Sequence, residues 1–144
     1  MNLKLARQKQ TIFGDDQGNC YTACVASALR TPLKELPNLC HARGDWMLAA
    51  NRTMRKFGVA LFDIRLDQLP LSEWSALSTG VPVILSGKSP RGDFSHAVLG
   101  EYVLRQDGMH QFRYVHDPHP DDTFLDGIPR FATLLLHAPQ EQQP

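Results

Sequence analysis

Cys20 sits where a stretch rich in Gly, Asp and Asn, Gly14-Asp15-Asp16-Gln17-Gly18-Asn19, runs into the apolar sequence Tyr21-Thr22-Ala23-Cys24-Val25-Ala26-Ser27-Ala28-Leu29. The seam is a helix start. The first turn of a helix carries unpaired N–H groups and partial positive charge, a setting that favours the thiolate and makes a cysteine nucleophilic. Such a nucleophile requires a base, and the base requires a group to orient it. His96 opens the run Ser95-His96-Ala97-Val98-Leu99, and Asp117 closes Tyr114-Val115-His116-Asp117-Pro118. A carboxylate beside the imidazole would fix its tautomer and leave the second ring nitrogen for the thiol.

The elements that must bring these three together are readable from pattern. Residues 1 to 19 read as an extended lead-in with a short strand at Lys9 to Phe13, and Asn19 as the N-cap of a helix from Cys20 to about Arg30. Thr31-Pro32 ends that helix and starts a short one through Leu36; Asp45 to Phe57 gives a further helix, closed by Gly58. The period then changes. Strands are expected at Val59 to Ile64 and Val81 to Leu85, with a short helix at Leu71 to Leu77 between them and a Gly/Ser/Pro loop at Ser86 to Phe94. Ser95 to Leu104 and His110 to His116 form a hairpin through Asp107-Gly108, and Phe131 to His137 is a last strand. Antiparallel pairing through that turn sets the start of one strand beside the end of the other, which brings His96 next to Asp117. Helices first and an antiparallel sheet after them is an α+β order.

Composition sets the outer limits. At 144 residues the chain is expected to form one domain, over residues 1–138, with 139–144 as a disordered tail. Fifteen basic and fifteen acidic residues give a formal net charge of zero, which argues against nucleic acid or an anionic membrane as partner. No apolar run reaches the roughly 18 residues of a membrane span, and the N-terminus lacks a signal-peptide core, so a cytoplasmic protein is expected. Three cysteines cannot close a disulfide framework. Cys24 reads as core, and Cys40-His41 as part of a linker.

The order of cysteine at a helix start, histidine at a strand start and aspartate at the end of the next strand resembles the papain-like cysteine peptidases. The compact bacterial members are nearest, with a short N-terminal cysteine helix and His-Ala-Val followed by Asp-Pro. Gly18-Asn19-Cys20 preceded by Asp16 is similar to the ovarian-tumour branch. Pro-Leu-Lys-Glu-Leu-Pro, Ser-Pro-Arg-Gly and His-Asp-Pro-His-Pro further resemble a group of bacterial and phage proteins over Gly14 to Pro120, a likeness that brings no substrate. The resemblance implies a papain-like fold, its N-terminal catalytic helix packed on a small antiparallel sheet. It also implies a cysteine-dependent hydrolase: a peptidase or isopeptidase, or an amidase, deamidase or acyl transferase using the same thioester. Cys20, His96 and Asp117 would be the triad, a peptide or protein the substrate, and no cofactor is called for. A non-catalytic binding module or effector on the same fold is the alternative from another class.

The chain departs from that family at one point. Papain-like peptidases place a glutamine about six residues before the nucleophile to donate to the oxyanion; Gly14 stands there in this sequence. The backbone N–H of Cys20 is then one expected donor, with the side chain of Gln17 or Asn19 as the other. Arg91, in the 86–94 loop, and Trp46 are expected to bind substrate, the arginine through an anionic group. His116-Asp117-Pro118-His119-Pro120-Asp121-Asp122 is dense in metal-binding side chains but matches no standard zinc spacing, so no metal is expected.

Overall fold

The computed structural model describes residues 7–13, 18–39, 46–68, 74 and 80–137. Helix α1 spans Cys20–Leu29 and ends because Arg30 turns into the left-handed region (φ 55°), its N–H capping Ala26 and Ser27 carbonyls ahead of Thr31-Pro32. Tyr21 through Ser27 are all buried. A helix buried on every side has no polar face to leave in water, which explains why small residues (Ala23, Ala26, Ser27) alternate with larger apolar ones along it. The short helix expected after Pro32 is a single 3-10 turn, Leu33–Glu35. Helix α2, Trp46–Met54, continues as a 3-10 turn to Phe57, and Gly58 closes it at φ 68°, as the sequence predicts.

Five strands follow: β1 Val59–Arg65, β2 Pro82–Lys88, β3 Ser95–Leu104, β4 His110–His116 and β5 Phe131–His137. They form one antiparallel sheet in the order β1-β5-β2-β3-β4. The last strand therefore inserts between β1 and β2. α1 packs on β3 and β2, and α2 on β1, so the sheet separates two apolar clusters. One holds Tyr21, Cys24, Val25, Met54, Leu61, Ile84 and Leu99; the other holds Trp74, Val83, Leu85, Val98, Tyr102 and Ala132. The expected core role of Cys24 is met, since it is fully buried in the first cluster.

Several boundaries differ from the sequence reading. β2 runs on to Lys88, so the loop begins at Ser89, because Ser86 and Gly87 pair with Ala97 and His96. Lys9 to Phe13 is no strand of the sheet; its backbone is met by the Asn19 side chain and by the main chain of Pro118 and Asn19 instead. Asp45, the expected 71–77 helix apart from Trp74, Cys40-His41 and the 139–144 tail lie outside the described residues. No helix among the described residues is long and apolar enough to cross a membrane.

The β3–β4 hairpin contains an irregularity that matters for the site. Leu99 pairs with His116 and Gly100 with Tyr114, which leaves Val115 as an extra residue on β4. A bulge of this kind re-aims the strand beyond it, here the end that leads to Asp117. Gly100 permits it: a Cβ there would lie 2.6 Å from Leu85 Cδ1 and 2.9 Å from the Arg113 carbonyl oxygen.

Candidate active site

The three residues singled out by type and spacing converge. Cys20 is the first residue of α1 and half-buried; His96 is the second residue of β3 and 3% exposed; Asp117 directly follows β4 and is fully buried. His96 Nε2 lies 2.7 Å from Asp117 Oδ1. Cys20 lines the same cleft as His96, near enough for its side chain to raise the imidazole's pKa. Since Nε2 is taken by the carboxylate, Nδ1 is the nitrogen left for the sulfur.

A buried carboxylate is costly unless its oxygens are matched by donors. Asp117 Oδ1 accepts from His96 and from the backbone N–H of His119 (2.9 Å), and Oδ2 accepts from the N–H of Phe124 (2.8 Å). Burial pushes the Asp117 carboxyl up, but these hydrogen bonds outweigh it and hold it below its ordinary value. Burial likewise opposes charge on His96, yet the hydrogen bonds to Asp117 and Cys20, and their charges, raise it to about 9. At neutral pH the imidazole therefore carries its proton, flanked by a carboxylate on one side and the sulfur on the other.

The loop after Asp117 is braced from two directions. Lys9 Nζ donates to the carbonyls of Asp117 (2.9 Å) and His119 (3.2 Å) and pairs with Asp122 at 2.8 Å. The lead-in that carries Lys9 is itself tied to α1, because the Gln8 N–H donates to Ser27 Oγ and the Gln8 side chain bridges Leu33 N–H and the Thr31 carbonyl. His116 Nε2, at 2.7 Å from the Gln8 carbonyl, adds a link to β4. The lead-in thus couples the helix that holds the nucleophile to the loop that holds the orienter.

Arg91 does not take the expected place. Its Nη1 donates to Asp121 Oδ1 (2.9 Å), Asp121 Oδ2 (3.2 Å) and Thr123 Oγ1 (2.9 Å), so its charge is neutralised within the protein and it braces the 118–124 loop from outside the cleft. Asn19 holds the N-cap position of α1, as expected, but makes no side-chain capping bond: its side-chain oxygen accepts from the N–H groups of Thr11 and Ile12 and its amide donates to Thr11 Oγ1, so the side chain is not free for an oxyanion. Its backbone carbonyl accepts the first intrahelical bond, from Ala23 at 2.9 Å. Gln17 and Gly14 lie outside the described residues.

Cys20 and His96 open onto a cleft of about 410 Å³ lined by Gly18, Tyr21, Trp46, Asp63, Ser86 and Phe131, among others. Trp46 is in that wall, as expected, with its ring edge-on to Tyr21 at 5.1 Å. Two participants escaped the sequence reading. His119 stands edge-on to His96 with ring centroids 6.3 Å apart and is covered by Phe13. Asp63, on β1, reaches the cleft from the far side of the sheet order, a position that strand pairing through β5 alone determines. A hollow of similar size, about 430 Å³, lies among Leu66, His110, Phe112 and Tyr114, with no cysteine among its described lining residues. Among the described residues no group of three or more His, Cys, Asp or Glu side chains is placed to hold a metal ion. Comparison with protein-family models, with curated proteins and with solved structures finds no match.

Proposed function

We propose that the protein is a cysteine-dependent hydrolase or acyl transferase acting on peptide or isopeptide bonds, with Cys20 as nucleophile, His96 as acid and base, and Asp117 as the residue that positions His96. The observation that carries this reading is the sandwiched imidazole: His96 lies between the buried Asp117 carboxylate, 2.7 Å away, and the thiol at the start of α1. A cysteine helix packed on an antiparallel sheet, with histidine at a strand start, supports a papain-like arrangement for the same reason.

The chemistry follows from the geometry. With its proton held by His96 Nδ1, the Cys20 sulfur attacks a carbonyl carbon in the cleft and the C=O π pair moves onto oxygen. The N–H of Cys20, at a helix position with no intrahelical acceptor, is the backbone donor available to stabilise that oxyanion. His96 then gives its proton to the departing nitrogen as the C–N bond breaks, which leaves a thioester on Cys20. Water, or an acceptor amine, attacks the thioester carbon while Nδ1 removes its proton, and the sulfur leaves with its electron pair. Asp117 stays anionic throughout; it holds Nε2–H and stabilises the positive ring.

An activated ester tests this directly. With p-nitrophenyl acetate the protein should release a rapid burst of about one equivalent of nitrophenolate, leave an acetyl group on Cys20, and lose both on His96→Ala substitution. Acetyl groups found on lysines instead, or a wild-type rate no faster than that of Cys20→Ala, would end the hydrolase reading.

A further inference from the structure

We infer that Asp63 determines specificity in this cleft by receiving a cationic group of the substrate, a lysine or arginine side chain or a free amine adjoining the reacting carbonyl. The inference rests on the hydrolase reading of the same cleft and names its substrate class.

Eight aspartates are described, and six of them pair with a cation: Asp67, Asp107, Asp117, Asp121, Asp122 and Asp126. Of the other two, Asp93 lies in a separate depression beside Lys88 and Arg130, whereas Asp63 lines the cleft with Cys20 and His96. Among the described residues lining that cleft Asp63 is the one acidic side chain, and no described Lys or Arg lines it. The carboxylate is nevertheless built into place. Thr133, fully buried and directly across from Asp63 in the β1–β5 pairing, donates its hydroxyl to Asp63 Oδ1 at 2.8 Å. The buried Tyr21 hydroxyl donates in turn to Thr133 Oγ1 at 3.2 Å. This relay runs from the residue next to the nucleophile, through β5, to the acid on β1, so the orientation of the carboxylate is coupled to the helix that carries Cys20.

The neighbouring walls suit the stem of a long cationic side chain. Trp46, Phe131 and Tyr21 line the same cleft. Aromatic and apolar walls hold methylene groups, and ring faces attract ammonium and guanidinium groups. Asp63 is exposed to solvent, yet partial burial of its carboxyl raises the pKa against the Thr133 hydrogen bond. That is the behaviour of an acid lacking a counter-charge, and an incoming cation would supply it.

Two peptidyl acyloxymethyl ketones, identical except for lysine or norleucine beside the warhead, test the assignment. Norleucine keeps the alkyl stem and lacks the ammonium group. The reading is the second-order rate of Cys20 alkylation, expressed as the lysine-to-norleucine ratio so that differences in thiol reactivity cancel. Wild type should favour lysine by roughly two- to fivefold, the scale of a partly exposed charge pair; Asp63→Asn should bring the ratio near one, and Asp63→Glu should retain a preference for lysine. Equal rates in wild type, or a ratio that persists in Asp63→Asn, would overturn the role of Asp63 while leaving the hydrolase reading intact. Resistance of Cys20 to both ketones would remove the hydrolase reading and this inference with it.

Discussion

Replacing Asp117 by Asn isolates the electrostatic part of the site with little change of shape. Raising His96 from 6.5 to about 9 corresponds, at about 1.4 kcal/mol per pH unit, to about 3 kcal/mol of preference for the imidazolium. Burial opposes that preference, and the hydrogen bond to Asp117 is the largest of the contributions that overcome it. The neutral amide withdraws the negative charge, so the His96 titration should move down by at least about one pH unit. The amide oxygen can keep the bonds from His96 and the His119 N–H, both made to Oδ1. The amide N–H₂ would then face the Phe124 N–H that Oδ2 accepts in the native protein. An unmatched buried donor of this kind costs about 1 to 3 kcal/mol, and urea denaturation would show it. Titration of the His96 ring carbons by NMR, from neutral to alkaline pH in both proteins, reads the first effect. An unchanged His96 midpoint in Asp117→Asn would refute the claim that the carboxylate sets the charge of the imidazole.

Two further outcomes follow from the same geometry. Because folded His96 holds its proton more tightly than the unfolded chain does, its contribution to stability is fully present below about 6.5 and is lost as pH rises through about 9. Urea midpoints should therefore fall between those values by more in wild type than in His96→Ala, and equal slopes would contradict the linkage. Gly100→Ala forces a methyl into space held by the Leu85 side chain and the Arg113 carbonyl, at 2.6 and 2.9 Å, so it should cost about 1 to 3 kcal/mol in urea denaturation; an unchanged midpoint would show that the bulge can shift freely.

What could be read from the sequence was local. The helix beginning at Cys20, the hairpin about Asp107-Gly108 and the strands 95–104, 110–116 and 131–137 depend on near-neighbour pattern and turn residues, and they appear at or within a residue of the expected places. The convergence of His96 and Asp117 was likewise legible, because a tight hairpin fixes which strand ends are adjacent. Long-range partners were not. Asn19 takes the N-cap position as its type predicts, but two backbone N–H groups eight and seven residues earlier take the side-chain oxygen that would have capped the helix. Arg91 appeared available only because Asp121, thirty residues later, is brought beside it by the fold. Asp63 belongs to the cleft through the insertion of β5 between β1 and β2, and no local pattern encodes strand order. The bulge at Val115 has no clear sequence marker beyond Gly100 on the facing strand.

Activation of Cys20 by His96 is the step on which the proposed chemistry depends. The most direct measurement is the rate of Cys20 alkylation by iodoacetamide at about pH 6, followed by peptide mapping that separates Cys20 from Cys24 and Cys40, in wild type and His96→Ala. A sulfur paired with a protonated imidazole should react at least about tenfold faster in wild type than in the variant, since an ordinary thiol is almost wholly protonated there. Equal Cys20 rates in the two proteins would contradict the account.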